Sequence, residues 1–275
     1  MRENTVAEGN TTAFQVHVLA SGSKGNATVV AYKNTAILID AGISARRITQ
    51  GMKALGLDAA ELAGIFITHE HSDHIAGLLQ MVKQYDVPVL TREGTMKALI
   101  GKRIAGHQSF TVLTKANITV GDISVETFKT KHDAVDSMGI SCYGGSHKMT
   151  LMTDTGTIDD RMLRAMDESD MLVLEANYDP QMLRYGPYPP DLKRRVAGEY
   201  GHLSNESAAQ ALLMMKRPDN LQVILAHRSE KNNAVPVVND TVHRLTGEVG
   251  LIEGKDFRLQ HGQPKECVSM VGQEA

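Results

Sequence analysis

The stretch Thr68-His69-Glu70-His71-Ser72-Asp73-His74 places the tightest limit on how this chain can fold. Four potential metal ligands (His69, His71, Asp73 and His74) follow directly on the apolar run Gly64–Ile67. In an extended segment residues two apart project to one side, so His69 and His71 reach a single cation together. A chain reversal after Ser72 swings Asp73 and His74 towards a second cation beside the first. Imidazole with carboxylate suits zinc, manganese or iron better than calcium or magnesium. In a core without metal these groups would repel one another or lack partners. A histidine-rich surface turn is the bland alternative, and the density of ligands argues against it.

Further candidates recur at the ends of strand-like runs. Residues 13–19, 27–32 and 35–40 read as strands, with the loop Ser21–Asn26 (SGSKGN) between the first two. Its backbone N–H groups either line the mouth of a site and hold a phosphate or form a plain tight hairpin. Asp40, next to Ala41-Gly42, is either a turn residue or the acceptor that orients a ligand histidine. Helical spacing over 44–55 and 73–84 alternates with strands near 64–68 and 87–91, which predicts sheets covered by helices. His132 follows the strand-like ISVETF and offers a third nitrogen for the first cation. Asp154 leaves KMTLMTDTG at a strand end, where one carboxylate can bridge two cations. Glu175 and Asn177 end the buried run MLVLEANYD, and His227 leaves LQVILA.

The Pro- and Gly-punctuated segment 183–205 carries Tyr185, Tyr188, Lys193, Arg194 and Arg195. A basic helix beside tyrosines can track a phosphate backbone and stack bases, or it can be a solvated face. Ser204 or Asn205 caps the helix that follows. A helix near 236–246 comes next, and the remainder holds at most one short strand and a polar tail.

At 275 residues the chain can bury a sizeable core, as one large domain or two fused halves. A single domain over 1–275 is expected, with polar tails at about 1–11 and 262–275. Fourteen methionines with few aromatics suggest a Met-filled core. No apolar run suits a membrane span, and no signal-peptide apolar region is present. Cys142 and Cys267 are expected to be free thiols in a reducing cytoplasm. The net charge of −3 does not exclude a phosphate-rich substrate, because two divalent cations with one hydroxide would neutralise it.

The set H-x-H-x-D-H, then His, Asp and His from later strands, resembles the metallo-β-lactamase fold. That resemblance implies an α/β, αββα four-layer sandwich with a metal site along one edge. It implies His69, His71 and His132 on a first ion, Asp73, His74 and His227 on a second, and Asp154 bridging. Asp40 takes the place of the family's early acidic residue, which supports the ligands without binding metal. SGSKGN, LIDAGIS, HEHSDHIAGL, TDTG, LEANYD, GHLSN and LAHRSEKNN are similar to the WalJ/YycJ-like group, regarded as 5′→3′ DNA exonucleases. Arg228 stands where that group leads one to expect Leu, and KTKHDA replaces the commoner small residues before His132. The short interval from Asp154 to His227 leaves no room for the inserted domain of β-CASP nucleases such as ribonuclease J. That from His132 to Asp154 leaves none for the tRNA-gripping arm of ribonuclease Z.

These readings predict a phosphodiesterase using two divalent ions, zinc or manganese, with nucleic acid, DNA foremost, as substrate. A metal-bridging hydroxide attacks the phosphorus. Asp73 helps to orient that attack, and His202, oriented by Glu175, stabilises the transition state or protonates the departing oxygen. A buried structural His–Glu pair is the alternative for those two. Ser21, Ser23, Asn26, Asn177, Tyr188, Lys193, Arg194 and Asn205 are the candidate substrate contacts. A small-molecule metallo-hydrolase acting on cyclic nucleotides or thioesters competes with this reading, as does a metal-stabilised nucleic-acid-binding protein without turnover. Hydrolysis of a short diester unaffected by added DNA would favour the former, and a protein inert with metals and DNA the latter.

Overall fold

The computed structural model describes residues 11–104 and 110–272. Its first half runs β1 (Thr11–Ala20), β2 (Ala27–Lys33), β3 (Thr35–Ile39), α1 (Ala45–Ala54), β4 (Leu62–Phe66), α2 (Ser72–Ile75), α3 (Leu78–Tyr85), β5 (Val89–Thr91), α4 (Glu93–Gly101) and β6 (Phe110–Val112). Its second half opens with β7 (Asn117–Val120), β8 (Ile123–Lys129), β9 (Met138–Gly144), β10 (His147–Met152), α5 (Asp160–Met166) and β11 (Met171–Glu175). It continues with α6 (Pro180–Tyr185), α7 (Pro190–Val196), α8 (Asn205–Met214), β12 (Leu221–Ala226), α9 (Val235–Glu248), β13 (Phe257–His261) and β14 (Val268–Val271).

Two seven-stranded sheets result, in the orders β14-β1-β2-β3-β4-β5-β6 and β13-β12-β11-β10-β9-β8-β7. Both are mixed: β3 to β6 run parallel, as do β10 to β13, and the other neighbours are antiparallel. The inner strands such as β3, β5 and β11 are buried on both faces because successive side chains serve different layers. In β3, Ile37 and Ile39 enter the core between the sheets, while Leu38 packs under the outer helices. Phe14, Val16 and Phe66 meet Val125, Ile140, Met149 and Val173 in that central layer. Ile48, Met52, Leu78 and Met81 cover the first sheet from outside; Met162, Met166, Leu212 and Val242 cover the second. Helix, sheet, sheet, helix is the four-layer α/β sandwich that the motif pattern implied. Each large apolar side chain so enclosed stabilises the fold by roughly 1.5–3 kcal/mol. Met52, Met81, Met149, Met162, Met166 and Met171 are all buried, so methionine fills this core.

Two boundaries differ from expectation. The helix read over 73–84 is broken into α2 and α3, because Ala76-Gly77 passes under the loop after β3. A Cβ on Gly77 would lie 2.1 Å from the Ile43 carbonyl oxygen, so the chain turns there. The expected polar tail from 262 contains β14, which joins the first sheet in register, Met270 opposite Val16. Four residues flanked by polar ones carry too little alternation to be read as a strand; pairing with β1 and burial of Met270 hold it. The first ten residues of the expected N-terminal tail lie outside the described residues. Among the described residues no helix is long and apolar enough to cross a membrane.

Candidate metal centre

The strands deliver the predicted ligands to one edge of the sandwich. Asp40 follows β3, His69 to His74 follow β4, His132 follows β8, Asp154 follows β10, Glu175 ends β11 and His227 follows β12. Three of these residues, Asp40, Asp154 and His227, have left-handed backbone, with φ of 60, 59 and 52°. For a non-glycine residue that conformation costs about 1–2 kcal/mol. Each turns the chain sharply as it leaves the sheet. Gly42 brings the loop after β3 against the ligand segment so closely that a Cβ there would lie 1.6 Å from the Asp73 carbonyl oxygen. The reversal after Ser72 is the short helix α2, which places Asp73 and His74 in its single turn.

Ligand atoms of His69, His71 and His132 lie within 4.8 Å of one another, and so do those of Asp73, His74 and His227. In the first group His132 Nε2 is 3.2 Å from His71 Nδ1. In the second, Asp73 Oδ2 is 3.3 Å from His227 Nε2 and 3.5 Å from His74 Nε2. Asp154 spans the two: Oδ1 lies 3.6 Å from His132 Nε2 and Oδ2 lies 3.3 Å from His74 Nε2. Oδ1 also lies 3.5 Å from His227 Nδ1, so the carboxylate touches both groups.

The partners behind the rings fix which nitrogen faces inward. His74 Nδ1 donates to Asp40 Oδ2 at 2.7 Å, and His227 Nδ1 to Glu175 Oε1 at 2.8 Å. His132 Nδ1 donates to the Gly201 carbonyl at 3.0 Å. Three imidazoles are therefore held with Nε2 turned inward, the atom that offers a lone pair once its proton is displaced. Asp40 itself is fixed by the Thr68 N–H and hydroxyl, at 2.9 and 2.8 Å. Thr68 is a contributor that sequence reasoning missed, since a threonine ending a strand carries no signal beyond β propensity.

Two buried atoms in this cluster, His69 Nε2 and Asp154 Oδ2, have no hydrogen-bond partner. Each such atom costs about 1–3 kcal/mol if left unmet. A divalent cation accepting their lone pairs removes that cost, so the donor set fits a metal. The charges agree. Burial opposes ionisation of Asp73, Asp154 and Glu175, yet the surrounding histidines hold all three below the usual carboxylate range. Burial lowers His74, but the Asp40 and Asp154 carboxylates outweigh it and push the imidazole up to about 10. His227 is also raised, against burial, by Asp154, Asp73 and Glu175. His69 is lowered well below the ordinary value by burial and by the neighbouring rings of His74, His132 and His71. The site thus concentrates buried negative charge that protons or metal must balance.

His202 stands beside this cluster with 18 % of its side chain exposed, and its Nδ1 donates to Glu175 Oε1 at 2.8 Å. Its ring centre is 5.1 Å from that of His132 and 5.2 Å from that of His227. The same Glu175 oxygen serves both His202 and His227, a sharing that the sequence did not indicate. Glu175 Oε2 accepts the N–H groups of Thr155 and Leu203 at 3.2 and 3.0 Å.

The expected substrate contacts divide. Asn26 is brought to the cluster, its Nδ2 3.2 Å from His74 Nε2 and 3.4 Å from Asp73 Oδ2. Ser23 is exposed at the loop tip. Three others are buried and bonded within the fold. Ser21 Oγ accepts the His227 N–H at 2.7 Å, Asn177 Nδ2 donates to the His227 carbonyl at 2.6 Å, and both are buried. Asn205 is fully buried in a reciprocal amide pair with Asn233, at 3.0 and 2.7 Å. All three side chains thus brace the loops around the cluster. On the basic segment, Lys193 Nζ donates to the Arg184 carbonyl at 2.8 Å, Arg194 pairs with Asp191, and Arg195 with Asp133. Tyr188 packs, half-buried, against a small cluster of Tyr178, Leu183 and Val196.

Comparison with known proteins agrees with this geometry. Residues 35–227 match the model of the beta-lactamase superfamily domain. The chain is 38 % identical over 251 residues to exodeoxyribonuclease YycJ of Bacillus anthracis, covering 90 % of this chain and 95 % of that one. It is 32 % identical over 256 residues to exodeoxyribonuclease WalJ of Streptococcus pneumoniae, covering 91 % and 95 %. Among solved structures, the metallo-beta-lactamase fold protein YhfI of Bacillus subtilis superposes with a TM-score of 0.68 at 16 % identity, covering 95 % of this chain and 100 % of that one. Human tRNase Z, short form, gives 0.61 at 15 %, covering 92 % and 98 %.

Proposed function

Because this chain belongs to the metallo-β-lactamase superfamily, and within it to the branch that includes YycJ and WalJ, we propose that it is a metal-dependent DNA exonuclease acting 5′→3′ in the cytoplasm. The observation that carries the reading is a buried, acid-rich histidine cluster joined through one carboxylate to a partly exposed histidine. The first group (His69, His71, His132) and the second (Asp73, His74, His227), together with Asp154, would hold two divalent ions, zinc or manganese. When bound, such ions lower the pKa of a coordinated water and neutralise charge on the phosphoryl group.

The chain's own residues do the rest. Asp40, Glu175 and the Gly201 carbonyl keep His74, His227 and His132 in the tautomer that presents Nε2. Asp73, at 20 % side-chain exposure the more open of the two carboxylates among the proposed ligands, accepts a hydrogen bond from the attacking hydroxide and orients it. The water oxygen bonds to phosphorus, the P–O bond to the sugar breaks, and His202 delivers a proton to the departing oxygen. Glu175 aims His202 at that oxygen and aims His227 at the ion. Asn26 supports Asp73 from the loop after β1.

The test is digestion of end-labelled single- and double-stranded DNA and RNA, with and without a 5′-phosphate, in zinc and in manganese. Stepwise loss of nucleotides from the 5′ end of DNA is expected. Rapid hydrolysis of a small diester or thioester with DNA left whole would overturn the reading.

A further inference from the structure

Two exposed apolar side chains border the metal centre. Tyr200 is 56 % exposed and Val135 is 66 % exposed. Exposure of this size usually accompanies a loose loop, but here both backbones are tied to the segments that carry the ligands. The Tyr200 carbonyl accepts the Asp133 N–H at 3.0 Å, one residue after His132. The next carbonyl, Gly201, holds the His132 ring. The turn is closed by Gly201 N–H to Gly198 O and His202 N–H to Val196 O, both at 2.9 Å. It sits so tightly on the loop after Asp154 that a Cβ on Gly156 would lie 2.2 Å from the Gly198 oxygen. Val135, two residues beyond Asp133, has its N–H bound by Glu70 Oε1 at 2.9 Å, and Glu70 lies between His69 and His71. An aromatic and an aliphatic side chain, both largely uncovered, thus stand on backbone anchored next to the ligand segments, and Tyr200 is two residues from His202.

We propose that Tyr200 is a stacking platform for the base of the nucleotide whose sugar oxygen departs. The inference rests on the nuclease reading. In cleavage of the first phosphodiester from a 5′ end, water's oxygen bonds to phosphorus, the P–O3′ bond breaks, and O3′ of the terminal nucleotide takes the proton from His202. Tyr200, two residues from His202 in the same hydrogen-bonded turn, is therefore placed to meet the terminal nucleotide. Every base has a π face, so such a platform grips the end without reading sequence. A rigid turn makes it effective, because little freedom is lost when the base docks.

The chain contains no tryptophan, so Tyr200→Trp supplies a single indole reporter at the platform. Metal-loaded Tyr200→Trp protein is titrated with a 5′-phosphorylated, phosphorothioate-linked single strand. A second strand is identical but abasic at its first nucleotide. Indole emission is expected to be quenched by the first strand and not by the second. Tyr200→Ala should raise KM for DNA on the order of tenfold, with Tyr200→Phe restoring it. Equal quenching by both strands, or an unchanged KM in Tyr200→Ala while wild type degrades DNA, overturns the platform and leaves the nuclease reading standing. Failure of wild type to degrade any DNA overturns both.

Discussion

Replacement of Glu175 by Gln tests the organisation of the site at its most connected point. The carboxylate accepts four N–H groups: the Nδ1 of His202 and of His227 on Oε1, and the amides of Thr155 and Leu203 on Oε2. The residue is completely buried, so water cannot substitute for a lost acceptor. Glutamine offers one oxygen and one NH2, and the NH2 must face one pair of donors. Two buried donors then lose their partner, at about 1–3 kcal/mol each, or about 2–6 kcal/mol together. That is a large part of the 5–15 kcal/mol typical of a folded domain. If the rings escape by switching tautomer, Nε2 carries the hydrogen and His227 ceases to be a ligand. Urea unfolding of the metal-free proteins, metal content after reconstitution and turnover on DNA should therefore all fall in Glu175→Gln. A variant within about 1 kcal/mol of wild type, with full metal content and activity, would refute the shared-acceptor account.

His202→Ala should keep its metal content by elemental analysis yet lose turnover by 10²–10⁴-fold, the usual contribution of a positioned acid; loss of metal would make the residue structural. The raised pKa of His74, up to about 10, and that of His227 have a signed consequence for the metal-free protein. Their stabilisation is complete below the ordinary value of 6.5 and disappears as pH rises through the folded-state values. Its melting temperature should thus decline from neutral to alkaline pH, and metal addition should release protons, measurable by calorimetry in buffers of different ionisation enthalpy. Asn205→Ala breaks the amide pair with Asn233 and should destabilise the protein by about 1–3 kcal/mol with KM for DNA unchanged; a raised KM would return Asn205 to the substrate site.

Much of this arrangement was legible in the chain. The ligand segment is dense and local, and the later candidates all lie where a buried run meets a polar residue, a pattern visible one residue at a time. What was not legible depended on distant partners. Nothing local says that Glu175 reaches His227 as well as His202, or that Ser21 bonds the His227 amide across the fold. Asn177 and Asn205 are polar residues near the site in sequence, and only their burial shows that they brace it. The strand Val268–Val271 exists because β1 offers it a pairing edge and a place for Met270. The helical spacing read over 73–84 runs straight through Gly77, where the loop after β3 crosses too close for any side chain.

The left-handed turns at Asp40, Asp154 and His227 set the interests of the scaffold against those of the site. Glycine would relax the backbone at each of these corners, while removing a carboxylate or an imidazole from the centre. Laboratory evolution scored only on heat tolerance without metal should admit asparagine at the Asp154 corner, where one oxygen has no partner, while buried hydrogen bonds keep Asp40 and His227. Selection scored on strand degradation should hold all three residues in place. Comparing the two outcomes would reveal how much conformational comfort this molecule forgoes for its chemistry.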